Sequence, residues 1–173
     1  EFTFTTRDVE GDETIVSVSY AGLADELKPG DTVLVNNGLV IFTVESIDGT
    51  EIHCKVKAGG KLSNRKSMSF PNKVLKQVYL SEQDKEDLLF GIRNHVDYVA
   101  ASFVSCKQDV VDLRTFLNEN GGEGIDIIAK IENRAGIDNI DGICEVCDGI
   151  MVARGDLGVE VPFVELPAIQ KYL

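Results

Sequence analysis

The sequence has 173 residues, with 17 basic and 29 acidic side chains, a formal net charge of −12, 43% hydrophobic residues and no tryptophan. That length holds one ordinary domain or two small ones, and the balance of apolar and charged residues is that of a globular chain. The acidity argues against nucleic acid or an anionic membrane as the main partner. No run of about 18 apolar residues reads as a transmembrane helix, and a complete eightfold β/α barrel, at about 250 residues, is excluded.

The chain opens Glu1-Phe2-Thr3-Phe4, already alternating like a strand, without an initiator Met or a signal-like segment, and is expected to begin inside a longer protein. Residues 1–75 keep a period of two. Ile15–Tyr20 reads as a strand, Lys28-Pro29-Gly30-Asp31 as a turn, and Thr32–Val35 and Leu39–Ile47 as strands flanking Asn36-Asn37-Gly38. Asp48-Gly49 then precedes a strand over Glu51–Lys57. Asn-Gly and Asp-Gly between apolar alternations are strong hairpin signals, so this half is expected to be a small antiparallel meander or barrel.

From about 80 onward the pattern alternates helix and strand. Ser81-Glu82-Gln83-Asp84 reads as a helix N-cap with an acid at the third helical position, followed by the stripe Leu88, Leu89 and Ile92. Val96–Phe103 is an apolar strand. Val110, Val111, Leu113, Phe116 and Leu117 mark a helix that Asn120-Gly121-Gly122 ends. A strand over Ile125–Ile131, a helix over Ile137–Val146, a strand over Gly149–Ala153 and a helix around Leu166 and Ile169 complete the chain. Strands alternating with helices imply parallel βαβ units. The fold expected is α/β: an all-β domain over 1–74, then a parallel β/α segment over 75–173.

Cys54, Cys106, Cys144 and Cys147 are read as four reduced thiols of a cytosolic protein. Cys144-x-x-Cys147 lacks the second ligand pair that zinc needs, and its cysteines are expected one turn apart near a helix end as small core residues. Charge is unevenly spread. Between Glu51 and Glu82 there is no acid, only Lys55, Lys57, Lys61, Arg65, Lys66, Lys73 and Lys76. This stretch is either a solvated hairpin face or a phosphate-binding surface.

Two segments carry chemistry. In Ile127–Asn133, alternation puts Ile128, Lys130 and Glu132 on one face of a strand. A Lys and a Glu on an otherwise apolar strand require a partner, and the simplest is each other. Met151-Val152-Ala153-Arg154-Gly155-Asp156-Leu157-Gly158 runs from a strand into what reads as a Gly-x-x-Gly turn carrying a carboxylate. Glu132 and Asp156 would then lie at the ends of neighbouring parallel strands. Two hard carboxylates there suit Mg²⁺ or Mn²⁺, which keeps waters and takes substrate oxygens as further ligands. With Lys130 beside them and a basic surface elsewhere, the constellation is one of phosphoryl transfer.

The run Ile128-Ala129-Lys130-Ile131-Glu132-Asn133 and the run Asp148-Gly149-Ile150-Met151-Val152-Ala153-Arg154-Gly155-Asp156-Leu157-Gly158-Val159-Glu160 resemble the pyruvate kinase family. So do Ala100-Ala101-Ser102-Phe103-Val104 and Lys28-Pro29-Gly30-Asp31, and the resemblance spans nearly the whole chain. It implies a small all-β lid domain followed by about three βα units of a TIM (β/α)8 barrel. It implies phosphoryl transfer from phosphoenolpyruvate to ADP, giving pyruvate and ATP, with Mg²⁺ or Mn²⁺ and with K⁺ whose ligands lie outside this chain. By the same resemblance Lys130 is the catalytic lysine and contacts substrate. Glu132 and Asp156 are metal ligands, Gly155 and Asp156 meet the substrate carboxylate, and Lys66 with Arg65 lies near the nucleotide phosphates. The parent is expected to be a cytoplasmic homotetramer. The 173-residue piece is expected to be inactive and, with barrel edges open, to self-associate.

The chain departs from the family pattern mainly in its first half. Asn36-Asn37-Gly38 stands where Asp-Asp-Gly is usual, Ser67–Asn72 replaces a typical Gly-Val-Asn-Leu-Pro-Gly, and Gln77-Val78-Tyr79 lacks a hinge proline. Ser105-Cys106 stands where Arg-Lys is common, and Ala135 where a polar residue is usual. The alternatives are another metal-dependent aldolase or lyase acting on pyruvate-like substrates, or a non-catalytic anion-binding paralogue.

Overall fold

The computed structural model describes residues 1–71, 73 and 75–173. Asn72, in the divergent stretch Ser67–Asn72, and Val74, at the expected boundary, lie outside the described residues. The chain divides into two compact units, Glu1–Gln77 and Val78–Leu173.

The first unit is a six-stranded sheet built from β1 (Phe2–Thr5), β2 (Ile15–Ser17), β3 (Thr32–Val35), β4 (Val40–Asp48), β5 (Glu51–Ala58) and β6 (Met68–Ser69). The strand order is β2-β1-β5-β4-β3-β6. The expected antiparallel meander is corrected at one edge, where β1 and β2 pair parallel. Residues 6–14 carry the chain back so that Thr3 N–H reaches Thr14 O at 2.8 Å and Val18 N–H reaches Thr5 O at 2.8 Å. A short helix, α1 (Leu23–Glu26), was not legible in the period-two pattern. Four residues are too few to show a helical period, and burial of Leu23 holds it in place.

Alternation delivers one face of this sheet to a core of Phe4, Val33, Val35, Phe42, Val44 and Ile52, closed by Leu23 and Leu27. Phe2, Phe4 and Phe42 form a ring cluster with centroids 5.0–5.3 Å apart. The Asn36-Asn37-Gly38 tip is a true hairpin turn. All three residues have positive φ (56°, 57° and 77°), which asparagine and glycine tolerate best.

Inside the sheet, β1 and β5 face each other with Thr5 opposite Glu51. The Arg7 guanidinium donates to Glu51 at 2.8 Å and the buried Thr5 hydroxyl at 2.7 Å, with Thr50 at 3.2 Å. Together, led by Arg7, they hold the Glu51 carboxyl down to about 2. An unfolded glutamate titrates near 4.3, so this folded pKa is depressed. The stabilisation is therefore complete above about pH 5 and is lost as pH falls toward 2. Glu51→Gln is expected to flatten the acid limb of a urea-unfolding series between pH 5 and 2. An unchanged slope would show that Glu51 is not held this way.

The second unit is a parallel three-stranded sheet, β7 (Tyr98–Ala101), β8 (Asp126–Ile131) and β9 (Gly149–Val152), in the order β7-β8-β9. The helices are α2 (Glu82–Arg93), α3 (Lys107–Glu119), α4 (Arg134–Asp138), α5 (Ile140–Cys144), α6 (Arg154–Glu160) and α7 (Leu166–Tyr172). The expected N-cap of α2 is present as a capping box: Ser81 Oγ accepts Asp84 N–H at 3.1 Å and Asp84 Oδ2 accepts Ser81 N–H at 2.9 Å. Val110, Leu113 and Leu117 of α3 pack with Ile127, Ala129 and Ile131 of β8 in the core. The other face of the sheet carries Tyr98, Ala100, Ile128, Lys130 and Met151, of which Tyr98, Ala100 and Met151 are exposed. Among the described residues no helix is long and apolar enough to cross a membrane.

Three expectations need correction here. The helix expected over 137–146 is two helices that break at Asn139, whose side-chain amide donates to Ser105 O and Ala135 O, both at 3.0 Å. The Gly155-Asp156-Leu157-Gly158 segment is helical, inside α6, because this registers Leu157 into the core. Cys144 is exposed and Cys147 half-buried, so the pair is not a pair of core residues.

All four thiols are free. Burial, and then the Glu45 charge, push the Cys54 thiol up to about 12. Iodoacetamide is expected to alkylate Cys144 first and Cys54 only on unfolding, because the thiolate is the nucleophile. Site-resolved mass spectrometry with Cys54 labelled in the native state would contradict this burial.

Candidate functional site

Parallel pairing aligns the C-terminal ends of the three strands of the second unit. Ala101 lies opposite Ala129, and Ile131 opposite Val152. Ser102 and Phe103 therefore follow β7 at the same edge where Lys130 stands one residue before the end of β8, Glu132 follows the strand, and α6 begins after β9.

Glu132 is the most unusual side chain in the unit. It is 1% exposed, while Lys130 beside it is 22% exposed. Lys130 Nζ lies 2.6 Å from Glu132 Oε1, so the simple pairing expected from the alternation is present. That contact is an ion pair without hydrogen-bond alignment, and Oε1 has no hydrogen-bond donor among the described residues. Oε2 accepts the Phe103 N–H at 2.6 Å. Lys130 Nζ also donates to Ser102 Oγ at 2.9 Å. A buried carboxylate is tolerated only with such partners.

The loop that supplies these partners is itself held. Tyr79 OH donates to Ser102 O at 2.8 Å, and burial, then the charges of Asp109, Asp84 and Glu132, push its phenol well above the usual tyrosine value. Asn133 caps α4 by accepting Gly136 N–H at 2.7 Å and donates to Ser105 Oγ at 2.9 Å. Sequence reasoning singled out Ala100–Val104 and the Asn of Lys-x-Glu-Asn as family-like. It did not foresee that Phe103 binds Glu132, Ser102 binds Lys130 and Asn133 binds Ser105, because these contacts join residues about thirty apart.

Asp156 is half-buried in the first turn of α6, and Gly155 is exposed with no neighbouring atom where a Cβ would stand, so its face is open. Among the described residues no three His, Cys, Asp or Glu side chains converge as a metal cage. A divalent cation that keeps most of its waters needs only one or two carboxylates. The donor set of this edge fits that mode: a buried carboxylate oxygen without a hydrogen bond, with Asp156 in the helix that follows the neighbouring strand.

In the first unit, Arg65 and Lys66 are exposed on the segment after β5, with Arg65 at φ +56°. Ser67 ties this segment to the 36–39 hairpin tip, accepting Asn36 N–H at its carbonyl (3.0 Å) and donating its hydroxyl to Asn37 Oδ1 (3.0 Å). Lys73 is otherwise engaged, 2.6 Å from Asp31 and donating to Glu26 O at 2.9 Å. The basic stretch therefore divides into an internal tie at Lys73, Lys76 whose backbone N–H donates to the Glu26 carboxylate, and an exposed group at Lys55, Lys57, Lys61, Arg65 and Lys66 that makes no ion pair among the described residues.

The family model described as "Pyruvate kinase, barrel domain" matches residues 2–173. A pyruvate kinase of Clostridium acetobutylicum is 48% identical over 167 residues, which cover 96% of this chain and 35% of that protein. A pyruvate kinase of Clostridium perfringens is 46% identical over 172 residues, 99% of this chain and 36% of that protein. "Pyruvate kinase 2" of Synechocystis is 42% identical over 174 residues, 99% of this chain and 29% of that protein. The chain thus spans about a third of the length of the curated relatives it matches. With the matched region running through the Lys130–Glu132 edge and α6, the chain belongs to the pyruvate kinase family.

Proposed function

We propose that the protein carrying this chain transfers a phosphoryl group from phosphoenolpyruvate to ADP, giving pyruvate and ATP. The observation that carries this reading is the Lys130–Glu132 pair, buried on the carboxylate side and open on the ammonium side, at the C-terminal edge of three parallel strands. In β/α barrels that edge is where chemistry is done. The second unit then supplies three βα units of such a barrel, and its exposed face with Tyr98 and Met151 is the barrel interior. The first unit, expected over 1–74, is the lid, with Lys66 and Arg65 meeting nucleotide phosphates.

Glu132 and Asp156 would hold Mg²⁺ or Mn²⁺, which when bound supplies positive charge to the oxygens of the transferring phosphoryl group. Lys130 supplies a second positive charge from the protein itself. Its ammonium stays tied to Ser102 at the edge when a cation takes Glu132, and so costs little reorganisation as charge develops. Gly155 leaves room for the substrate carboxylate, with Asp156 beside it. K⁺ would be held by residues outside this chain, and the protein would work in the cytoplasm as a homo-oligomer.

The test is ADP-dependent formation of pyruvate from phosphoenolpyruvate by the full-length protein. Activity is expected to vanish with a chelator and return with Mg²⁺. Absence of pyruvate under saturating Mg²⁺ and K⁺ would favour an anion-binding protein without turnover.

A further inference from the structure

Glu132 is held asymmetrically. Its Oε2 is taken by the Phe103 N–H at 2.6 Å, whereas Oε1 meets only the Lys130 ammonium. The amide that takes Oε2 belongs to a loop fixed from several sides. Phe103 stands at φ +55°, unfavourable for a residue with a Cβ, and such a conformation persists only where the surroundings enforce it. Ser105 N–H donates to Asp109 Oδ2 at 2.7 Å, and Asn133 and Asn139 bind Ser105 from the other side. A Cβ on Gly136 would stand 2.6 Å from Val104 O, so only glycine lets α4 pass this close to the loop.

We propose that residues 102–105 set which cation Glu132 accepts. By occupying Oε2, the Phe103 amide leaves one carboxylate oxygen to offer. One oxygen suits Mg²⁺ or Mn²⁺, small octahedral ions that keep their waters, and denies Ca²⁺ the two-oxygen grip open to it elsewhere. Ser102 completes the device. Its hydroxyl, 2.9 Å from Lys130 Nζ, keeps a partner for the ammonium when a cation takes Oε1. Ser102, Phe103 and Gly136 are thus positioning residues that act through Glu132 and Lys130. The inference rests on the reading of Glu132 as a divalent-metal ligand.

The experiment is Mn²⁺ binding to the full-length protein, followed by electron paramagnetic resonance of the free ion, with Mg²⁺ and Ca²⁺ as competitors. Gly136→Ala pushes on Val104 O and draws the Phe103 amide off Oε2. Ca²⁺ is then expected to gain on Mg²⁺ by about tenfold, the scale on which partners of metal ligands act. Ser102→Ala is expected to weaken Mn²⁺ binding without changing the Ca²⁺/Mg²⁺ ratio, and Ser102→Thr to restore it. Should Gly136→Ala fail to fold, Asp109→Ala loosens the same loop by releasing the Ser105 N–H. In the unmodified protein the Phe103 amide is expected to keep its hydrogen-exchange protection when Mg²⁺ saturates. An unchanged Ca²⁺/Mg²⁺ ratio in the folded variants, or loss of Phe103 protection on Mg²⁺ binding, overturns the inference. Mn²⁺ binding that Glu132→Gln leaves untouched overturns the metal-ligand reading beneath it, a separate result.

Discussion

Lys130→Met is expected to lower kcat for pyruvate formation by about 10²–10³-fold, the range seen when one preorganised donor to developing charge is removed. Methionine keeps the length and apolar stem of lysine and deletes only the charge. If the ammonium acts mainly in the transition state, kcat and kcat/KM fall together while KM for phosphoenolpyruvate moves little. Steady-state kinetics separates this from a binding role, in which KM would rise at constant kcat. The substitution also leaves Glu132 without its cation, so thermal unfolding must be followed in parallel. A variant that stays folded and inactive supports the assignment, and one as active as the unmodified protein removes Lys130 from the chemistry. Lys130→Arg is a sharper probe. It keeps the charge, but the planar guanidinium cannot occupy the point between Glu132 Oε1 and Ser102 Oγ as an ammonium does.

Ser102 and Phe103 show how the site is assembled from ordinary fold constraints. Alternation sends Ile127, Ala129 and Ile131 into the core, which leaves Lys130 on the opposite face. The strand then ends, and Glu132 turns under the loop that leaves β7. The positive φ of Phe103 stops β7 at Ala101, shorter than the apolar run through Phe103 suggested, and aims its amide at the carboxylate. The feature that shortens the strand is the one that holds Glu132.

What was legible in the sequence is what depends on neighbours along the chain. The Ser81–Asp84 cap, the Asn36-Asn37-Gly38 turn and the Lys130–Glu132 pairing each involve residues within three positions, so spacing and residue type reveal them. The break at Asn139 was hidden because Ser105, on another element, binds its side chain. The helix through Gly155 and Gly158 was hidden because two glycines suggest a turn, and only the burial of Leu157 overrides them. Lys73 looked like one more cation of a basic surface until Asp31 and Glu26 were placed beside it. The candidate ligands were thus recognisable by type and order. The partners that hold Glu132 and Lys130 depend on chain crossings that no local pattern encodes.

Glu132→Ala is expected to cost about 3 kcal/mol or somewhat more in folding stability, the lower part of the range for breaking a buried ion pair. Two groups lose their partner at once. The part-buried Phe103 N–H is left without its acceptor, a penalty toward the lower end of about 1–3 kcal/mol by itself. Lys130 loses its counter-ion but, at 22% exposure, can turn partly to water, which keeps the total from the upper end. Urea unfolding of the variant checks the magnitude. Glu132→Gln should cost less, because its carbonyl oxygen can still accept from Phe103 and only the ion pair is lost. The double change Lys130→Met with Glu132→Leu should recover part of the loss, since a buried pair replaced by apolar side chains is often neutral. It should not recover all of it, because no leucine can accept the Phe103 N–H. Full recovery would mean that this hydrogen bond contributes nothing and that the loop holds its shape without Glu132. All three variants should lose the divalent-cation affinity assigned to Glu132, so stability and binding separate in the double variant: folded, yet unable to hold the ion.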